Sequence, residues 1–238
     1  MPRARLPTLL LPGLDGSGEL FAPLLAAGPR AFEPRVLALP SDAPRSYDEY
    51  LALLIEALPR RGRYALLAES FSGPLAVRLA ARRPPGLVGL VLAATFLHRP
   101  LSPWLAPLSP LLGAPLFSLP LLPPTIRLLL CGRDAPDAVV AAIQAAVAAV
   151  PAAVLAERVR QALAVDVRQA LADTRVPLLY LGPTGDRLLR TDVAPEVLAA
   201  RPDAETALLP GPHTILQVRP HACLARIEPF LEAAQASA

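Results

Sequence analysis

Tyr64-Ala65-Leu66-Leu67-Ala68-Glu69-Ser70-Phe71-Ser72-Gly73 runs from an apolar, strand-like segment straight into a turn that opens a helix. The unbroken apolar start suits a strand covered on both faces. The helix is expected from about Ser72 to Arg83, ending ahead of Pro84-Pro85, because a residue before proline is pushed out of the helical region. A serine on such a sharp strand-to-helix turn presents its hydroxyl at the end of the sheet. The backbones crowd there, which calls for small residues two before and two after the serine, and Ala68 and Ser72 are both small. By itself the stretch fits a helix-capping serine equally well.

On either side of this stretch, strands alternate with helices. Leu9-Leu10-Leu11 leads into the glycine-rich turn Pro12-Gly13-Leu14-Asp15-Gly16-Ser17-Gly18, and Glu19 to Ala27 is a short helical stretch. Arg35 to Leu39 reads as the next strand. Ser46-Tyr47-Asp48-Glu49 is a capping box, in which the serine bonds a first-turn amide and the glutamate reaches back. Its helix continues through Leu51, Leu54, Ile55 and Leu58 at helical spacing. Val88 to Ala93, Val176 to Leu181 and Ala204 to Leu209 complete an α/β pattern of about six strands, mostly parallel, with helices on both faces. Residues 97–174 break the rhythm. They hold the uncharged run Leu101 to Ile126 with seven prolines, then two helical, alanine-rich stretches, Asp137 to Val150 and Pro151 to Ala172. This segment is expected to be a helical cap over one end of the sheet, with residues 1–96 and 175–238 forming the core. Arg60-Arg61-Gly62-Arg63 and Arg82-Arg83 each close a helix, where the C-terminal dipole favours them.

Composition excludes several classes. The chain has 238 residues, 53% hydrophobic and 18% charged, with a net charge of +3. That is a folded domain with no nucleic-acid footprint. Every basic residue is arginine and there is no lysine, which removes a lysine Schiff base, pyridoxal chemistry and a Walker A loop. Three histidines and two cysteines, Cys131 and Cys223, make neither a metal centre nor a disulfide framework, and free thiols point to a reducing, cytoplasmic compartment. Arg3 and Arg5 ahead of Leu6 to Leu11 resemble an export signal only weakly, because Pro7 and Pro12 interrupt the run and Asp15 ends it. Proline density argues against a membrane-spanning helix in 101–126. Oligomeric state is not legible.

Two further turns carry chemistry-bearing residues. Asp186 stands in Gly182-Pro183-Thr184-Gly185-Asp186, after the fifth strand, and His213 in Pro210-Gly211-Pro212-His213, after the sixth. Singly they read as an ordinary loop aspartate and a surface histidine. Together with Ser70 they form a set, each just past the C-terminal end of an expected strand, the edge at which open parallel sheets build their sites. The order Ser…Asp…His is the one α/β-hydrolases use.

In these motifs the sequence resembles the α/β-hydrolase superfamily over nearly its whole length. The pairing of Leu11-Pro12-Gly13-Leu14-Asp15-Gly16-Ser17-Gly18 with Glu69-Ser70-Phe71-Ser72-Gly73 is similar to bacterial esterase-like members and to the hydrolase part of plant phytyl ester synthases. The resemblance implies Ser70 as nucleophile, His213 as general base, Asp186 as its acid partner, and the backbone N–H groups of Leu14 and Phe71 as oxyanion hole. It implies no cofactor and no metal. Pro12 stands where many members have histidine, Ala68 and Ser72 replace the usual elbow glycines, and the chain opens at what would be the third strand of the full fold, two N-terminal strands being absent. A serine nucleophile argues against dehalogenase or epoxide hydrolase chemistry. The uncharged run suggests a small-molecule ester with an apolar acyl or alkyl group, contacted by Trp104 and Phe117. Asp15 is either a substrate contact or a residue bonded within its own turn. An acyltransferase, and a binding protein on the same scaffold, stay open beside an esterase.

Overall fold

The computed structural model of this chain describes residues 5–237, so Arg3 lies outside the described residues. Six strands form one sheet: β1 (Leu6–Leu11), β2 (Phe32–Val36), β3 (Tyr64–Glu69), β4 (Leu87–Ala93), β5 (Leu178–Pro183) and β6 (Glu205–Leu209). Their order is β2-β1-β3-β4-β5-β6 and every neighbouring pair is parallel. The chain steps outward from β1 to β2, then crosses back to β3 and proceeds the other way. The C-terminal ends of β1 and β3 therefore lie side by side, with Leu11 opposite Ala68, at the point where the winding reverses.

Successive side chains of a strand face opposite sides, so each central strand feeds two cores. On one face Leu9, Leu66, Leu90 and Tyr180 pack against α2 (Tyr47–Ala57), α3 (Gly73–Ala81) and α9 (Val193–Ala200). On the other, Leu10, Leu67, Val91 and Leu179 pack against α1 (Ala22–Ala26), α10 (Ile215–Val218) and α11 (Pro220–Ser237). This explains the unbroken apolar runs, since β3, β4 and β5 are buried at every position. The capping box forms as expected: the Glu49 N–H donates to Ser46 Oγ at 3.3 Å and the Ser46 N–H to Glu49 Oε2 at 2.8 Å.

Two strands differ from expectation. The second is Phe32–Val36 rather than Arg35 to Leu39. Phe32, fully buried, anchors it opposite Leu6, and Leu39 is buried in the loop beyond the strand instead. Pro34 disguised the strand, and it is tolerated there because β2 is an edge strand with one neighbour. The fifth strand runs to Pro183, not Leu181. The Leu181 carbonyl accepts from the N–H of Ala94, the residue just past β4, at 2.9 Å, so odd-numbered residues of β5 point their backbone groups that way. At Pro183 β4 has already ended, and the missing N–H leaves nothing unpaired.

Residues 94–177 leave the sheet between β4 and β5. The proline-rich stretch breaks into a tight turn at Ala106–Leu111, two one-turn helices, α4 (Ala114–Phe117) and α5 (Pro123–Ile126), and a π-turn at Arg127–Cys131. The longer helices α6 (Asp137–Ala148) and α7 (Ala152–Ala164) follow. The last helix of the segment, α8 (Arg168–Ala172), packs through Leu171 into the core cluster of α3 rather than over the sheet edge. Cys131 and Cys223 are buried and unpaired. Among the described residues no single helix is long and apolar enough to cross a membrane.

Candidate active site

Ser70 sits directly after β3 with φ of 49°, left-handed backbone that costs a non-glycine residue of order 1–3 kcal/mol. The tight turn Ser70–Ser72 then enters α3, which points the hydroxyl away from the sheet edge. The neighbours hold this strain in place. Thr95 Oγ1, just past β4, donates to the Ser70 carbonyl. Tyr47 Oη donates to the Phe71 carbonyl at 2.9 Å, with the Tyr47 and Phe71 rings stacked at 4.8 Å. Ser72 Oγ donates to the Pro12 carbonyl and ties the elbow to the turn after β1. A Cβ at Gly73 would meet Thr95 Oγ1 at 2.0 Å, so the glycine requirement falls at position 73. At positions 68 and 72 alanine and serine suffice.

Ser70 Oγ lies 3.0 Å from His213 Nε2, and His213 Nδ1 lies 2.7 Å from Asp186 Oδ2. The other Asp186 oxygen accepts the N–H groups of Leu188 and Leu189, each at 2.8 Å. The carboxylate is thus fully bonded, and the Nδ1 partner selects the tautomer with a free Nε2 toward Ser70. Both loops must converge on Ser70 from β5 and β6. They do so by backbone contact: the Gly185 N–H donates to the Gly211 carbonyl at 2.9 Å, and a Cβ at Gly185 would collide with that same oxygen. The Thr214 N–H then donates to the Leu130 carbonyl at 3.0 Å, fixing the histidine loop from above. Burial acts to lower the His213 pKa, but the charge and hydrogen bond of Asp186, helped by the charge of Glu69, outweigh it and raise it above the usual 6.5.

The turn after β1 lies beside Ser70, with a Cβ built at Gly13 only 3.8 Å from the Ser70 Cβ. Among the described residues no acceptor takes the Leu14 N–H. Asp15 does not face the cavity as a substrate contact. Its Oδ2 accepts from the Ser17 N–H at 2.9 Å and from Ser17 Oγ at 2.5 Å, so the short side chain closes its own turn. Trp104 is likewise misplaced by the expectation. It is 53% exposed and does not line the cavity, because the proline-broken segment turns outward there. Phe117 does line it. The cavity has a volume of about 440 Å³ and runs from Leu14, Ser70 and Phe71 up to Phe117, Leu122 and Leu155. None of its lining residues is charged.

The sequence reading gives no role to Glu69, Thr95 or Arg158, and takes Ser72 only as a small residue of the turn. Glu69 is buried beside Ser70, where Gln217 Nε2 donates to it at 2.9 Å. Burial pushes its carboxyl up to about 7, against the hydrogen bond from Gln217. Its place between Ala68 and Ser70 at the end of a fully buried strand was the available signal.

No protein-family profile matches the chain, and no curated protein matches it in sequence. Solved structures do match in fold. An enol-lactonase from Burkholderia xenovorans LB400 is similar at a TM-score of 0.81 and 19% identity, covering 96% of this chain and 92% of that one. MenH from S. aureus gives 0.78 at 16% identity, with 97% and 94% covered. A thermophilic esterase from Thermogutta terrifontis gives 0.77 at 18% identity, with 96% and 90% covered. The architecture is the α/β-hydrolase fold.

Proposed function

We propose that this chain is a serine hydrolase that cleaves carboxylic esters of uncharged, apolar acyl or alkyl groups. The observation that carries this is the unbroken line of hydrogen bonds from Ser70 Oγ through His213 to Asp186, at 3.0 and 2.7 Å. His213 Nε2 takes the hydroxyl proton as Ser70 Oγ attacks the acyl carbonyl. The oxyanion forms against the Leu14 and Phe71 N–H groups, a contribution of about 3–4 kcal/mol per donor in comparable sites. The tetrahedral adduct collapses, the alcohol leaves with the proton from His213, and water activated by the same nitrogen releases the acid. No step calls on a cofactor. Covalent labelling by a fluorophosphonate, located at Ser70 by peptide mass, tests the nucleophile; hydrolysis of p-nitrophenyl esters of increasing acyl length tests the reaction. A protein that takes no label is a binder on this scaffold. The apolar lining around Ser70 also favours a second reading, transfer of the acyl group to an alcohol, which a product assay with a long-chain alcohol separates from hydrolysis.

Phe117→Ala is expected to change the ranking of acyl lengths by about 1–3 kcal/mol between best and worst substrate, since it removes a wall of the cavity. Trp104→Ala, outside the cavity, should keep the wild-type ranking. The reverse outcome in the chain-length series would place the acyl group elsewhere.

Glu69→Gln should alter the pH profile. The base must be neutral, so activity falls as pH drops through the His213 pKa, which lies above 6.5. The negative charge of Glu69 favours the imidazolium; removing it lowers that pKa and moves the acid limb to lower pH. Because Glu69 holds its proton more tightly folded than unfolded, its contribution to stability is present below its ordinary 4.5 and is lost as pH rises through about 7. The variant should therefore melt higher than wild type above that pH. An unmoved acid limb in kcat/KM would show that Glu69 does not act on His213.

A further inference from the structure

Arg158 of α7 is among the largest fully buried side chains of the described residues, and among those residues no carboxylate pairs with it. Its donors are spent on neutral acceptors. Nη1 donates to the carbonyls of Leu14 at 2.7 Å and Asp15 at 2.9 Å. Nη2 donates to the carbonyls of Leu39 at 3.3 Å and Pro40 at 3.0 Å and to Ser41 Oγ at 3.0 Å. Nε donates to Tyr50 Oη at 3.0 Å, and the guanidinium carbon stands 5.4 Å from the centre of the Tyr50 ring. An unpaired charge buried this completely is costly, and is retained only where the surrounding dipoles are organised to meet it. Here two of the six acceptors belong to the turn that carries the Leu14 N–H, three to residues 39–41 beyond β2, and one is the Tyr50 hydroxyl. The turn packs so closely on the guanidinium that a Cβ at Gly16 would lie 2.7 Å from Nη1.

The helix that delivers Arg158 also walls the cavity, through Leu155, Val159, Ala162 and Leu163. One helix thus faces both the space for the substrate and the back of the oxyanion turn.

We propose that Arg158 is the positioning residue of the oxyanion hole: from α7 it clamps the Leu14 and Asp15 carbonyls and so aims the Leu14 N–H at the oxygen of the acyl group on Ser70. This rests on Ser70 being the acyl-forming nucleophile. The fork of the guanidinium ties two segments together, the Leu14 and Asp15 carbonyls on Nη1 and the Leu39 and Pro40 carbonyls on Nη2, which a single ammonium cannot do in the same geometry. Its charge, close to the site and matched by no anion, adds a favourable potential for the oxyanion and none for the neutral ester.

The test compares wild type with Arg158→Lys, which keeps the charge and loses the fork, and Arg158→Met, which keeps the stem alone. Each preparation is first titrated with fluorophosphonate, so that rates refer to Ser70 that reacts. Failure of wild type to label would overturn the nucleophile itself, separately from this proposal. With p-nitrophenyl butyrate, KM should stay within about threefold, while kcat falls on the order of 10²–10³-fold in Arg158→Met and by less in Arg158→Lys, as for loss of an oxyanion donor. Affinity for an alkyl trifluoromethyl ketone, which forms an oxyanion on Ser70, should fall with kcat, whereas affinity for the corresponding alkyl alcohol should not. If Arg158→Met does not fold, the same paired measurements on Arg158→Lys decide. Wild-type kcat in a folded variant, or equal losses for ketone and alcohol, would overturn the proposal, because a merely structural clamp would not single out the charged state.

Discussion

Ser70→Ala is expected to abolish turnover of p-nitrophenyl esters, with a loss on the order of 10⁴-fold or more, while the protein stays folded. The magnitude follows from chemistry: without Oγ no acyl-enzyme forms, and only the oxyanion donors and the cavity are left to act on water. The fold should survive because the side chain bonds His213 and nothing else at its tip. Its left-handed backbone, φ 49°, is held from outside by Thr95, Tyr47 and Ser72, all of which remain. Steady-state rates beside a thermal melt check both halves. Substantial turnover by a correctly folded Ser70→Ala protein would remove the acyl-enzyme route.

His213→Ala should cost a comparable factor, on the order of 10⁴, whereas His98→Ala and His221→Ala should stay within a few-fold of wild type. The chain has three histidines, and geometry separates them. His213 is 6% exposed and lies between Ser70 and Asp186. His98 Nε2 lies 3.1 Å from Glu196 Oε1 and 3.4 Å from Arg190 Nη1, an ion-pair cluster with its own partners. His221 is exposed on α11. Kinetics of the three variants from about pH 5 to about pH 9 should show the acid limb vanish with His213 alone. An inactive His98→Ala or His221→Ala beside an active His213→Ala would require a different base.

Much of this was legible because the determinants are local. Leu9 to Leu11, Tyr64 to Ala68 and Val88 to Ala93 can be read as doubly buried strands since apolar runs too short for a helix have few other uses. Ser46 and Glu49 announce a helix start by covalent spacing alone. The positions of Ser70, Asp186 and His213 after β3, β5 and β6 were readable for the same reason, because a parallel sheet delivers every such turn to one edge. Pro34 and Pro183 misled at strand boundaries, where the cost of a missing N–H depends on whether a neighbour strand is present on that side.

The sequence by itself therefore determined the layers, the strand count and the edge on which the reactive side chains would gather, all consequences of periodicity and chain order. Only the tertiary structure decided how those side chains are held. That Asp15 bonds Ser17, that Trp104 turns outward while Phe117 turns in, that Gly73 rather than its neighbours meets Thr95, and that Arg158 reaches the Leu14 turn are contacts between residues whose relation depends on packing. Arg158 and Leu14 are 144 positions apart. No local propensity links them; they meet because the segment between β4 and β5 folds back over the sheet edge, and the buried guanidinium then takes its acceptors from the carbonyls and hydroxyls it finds there.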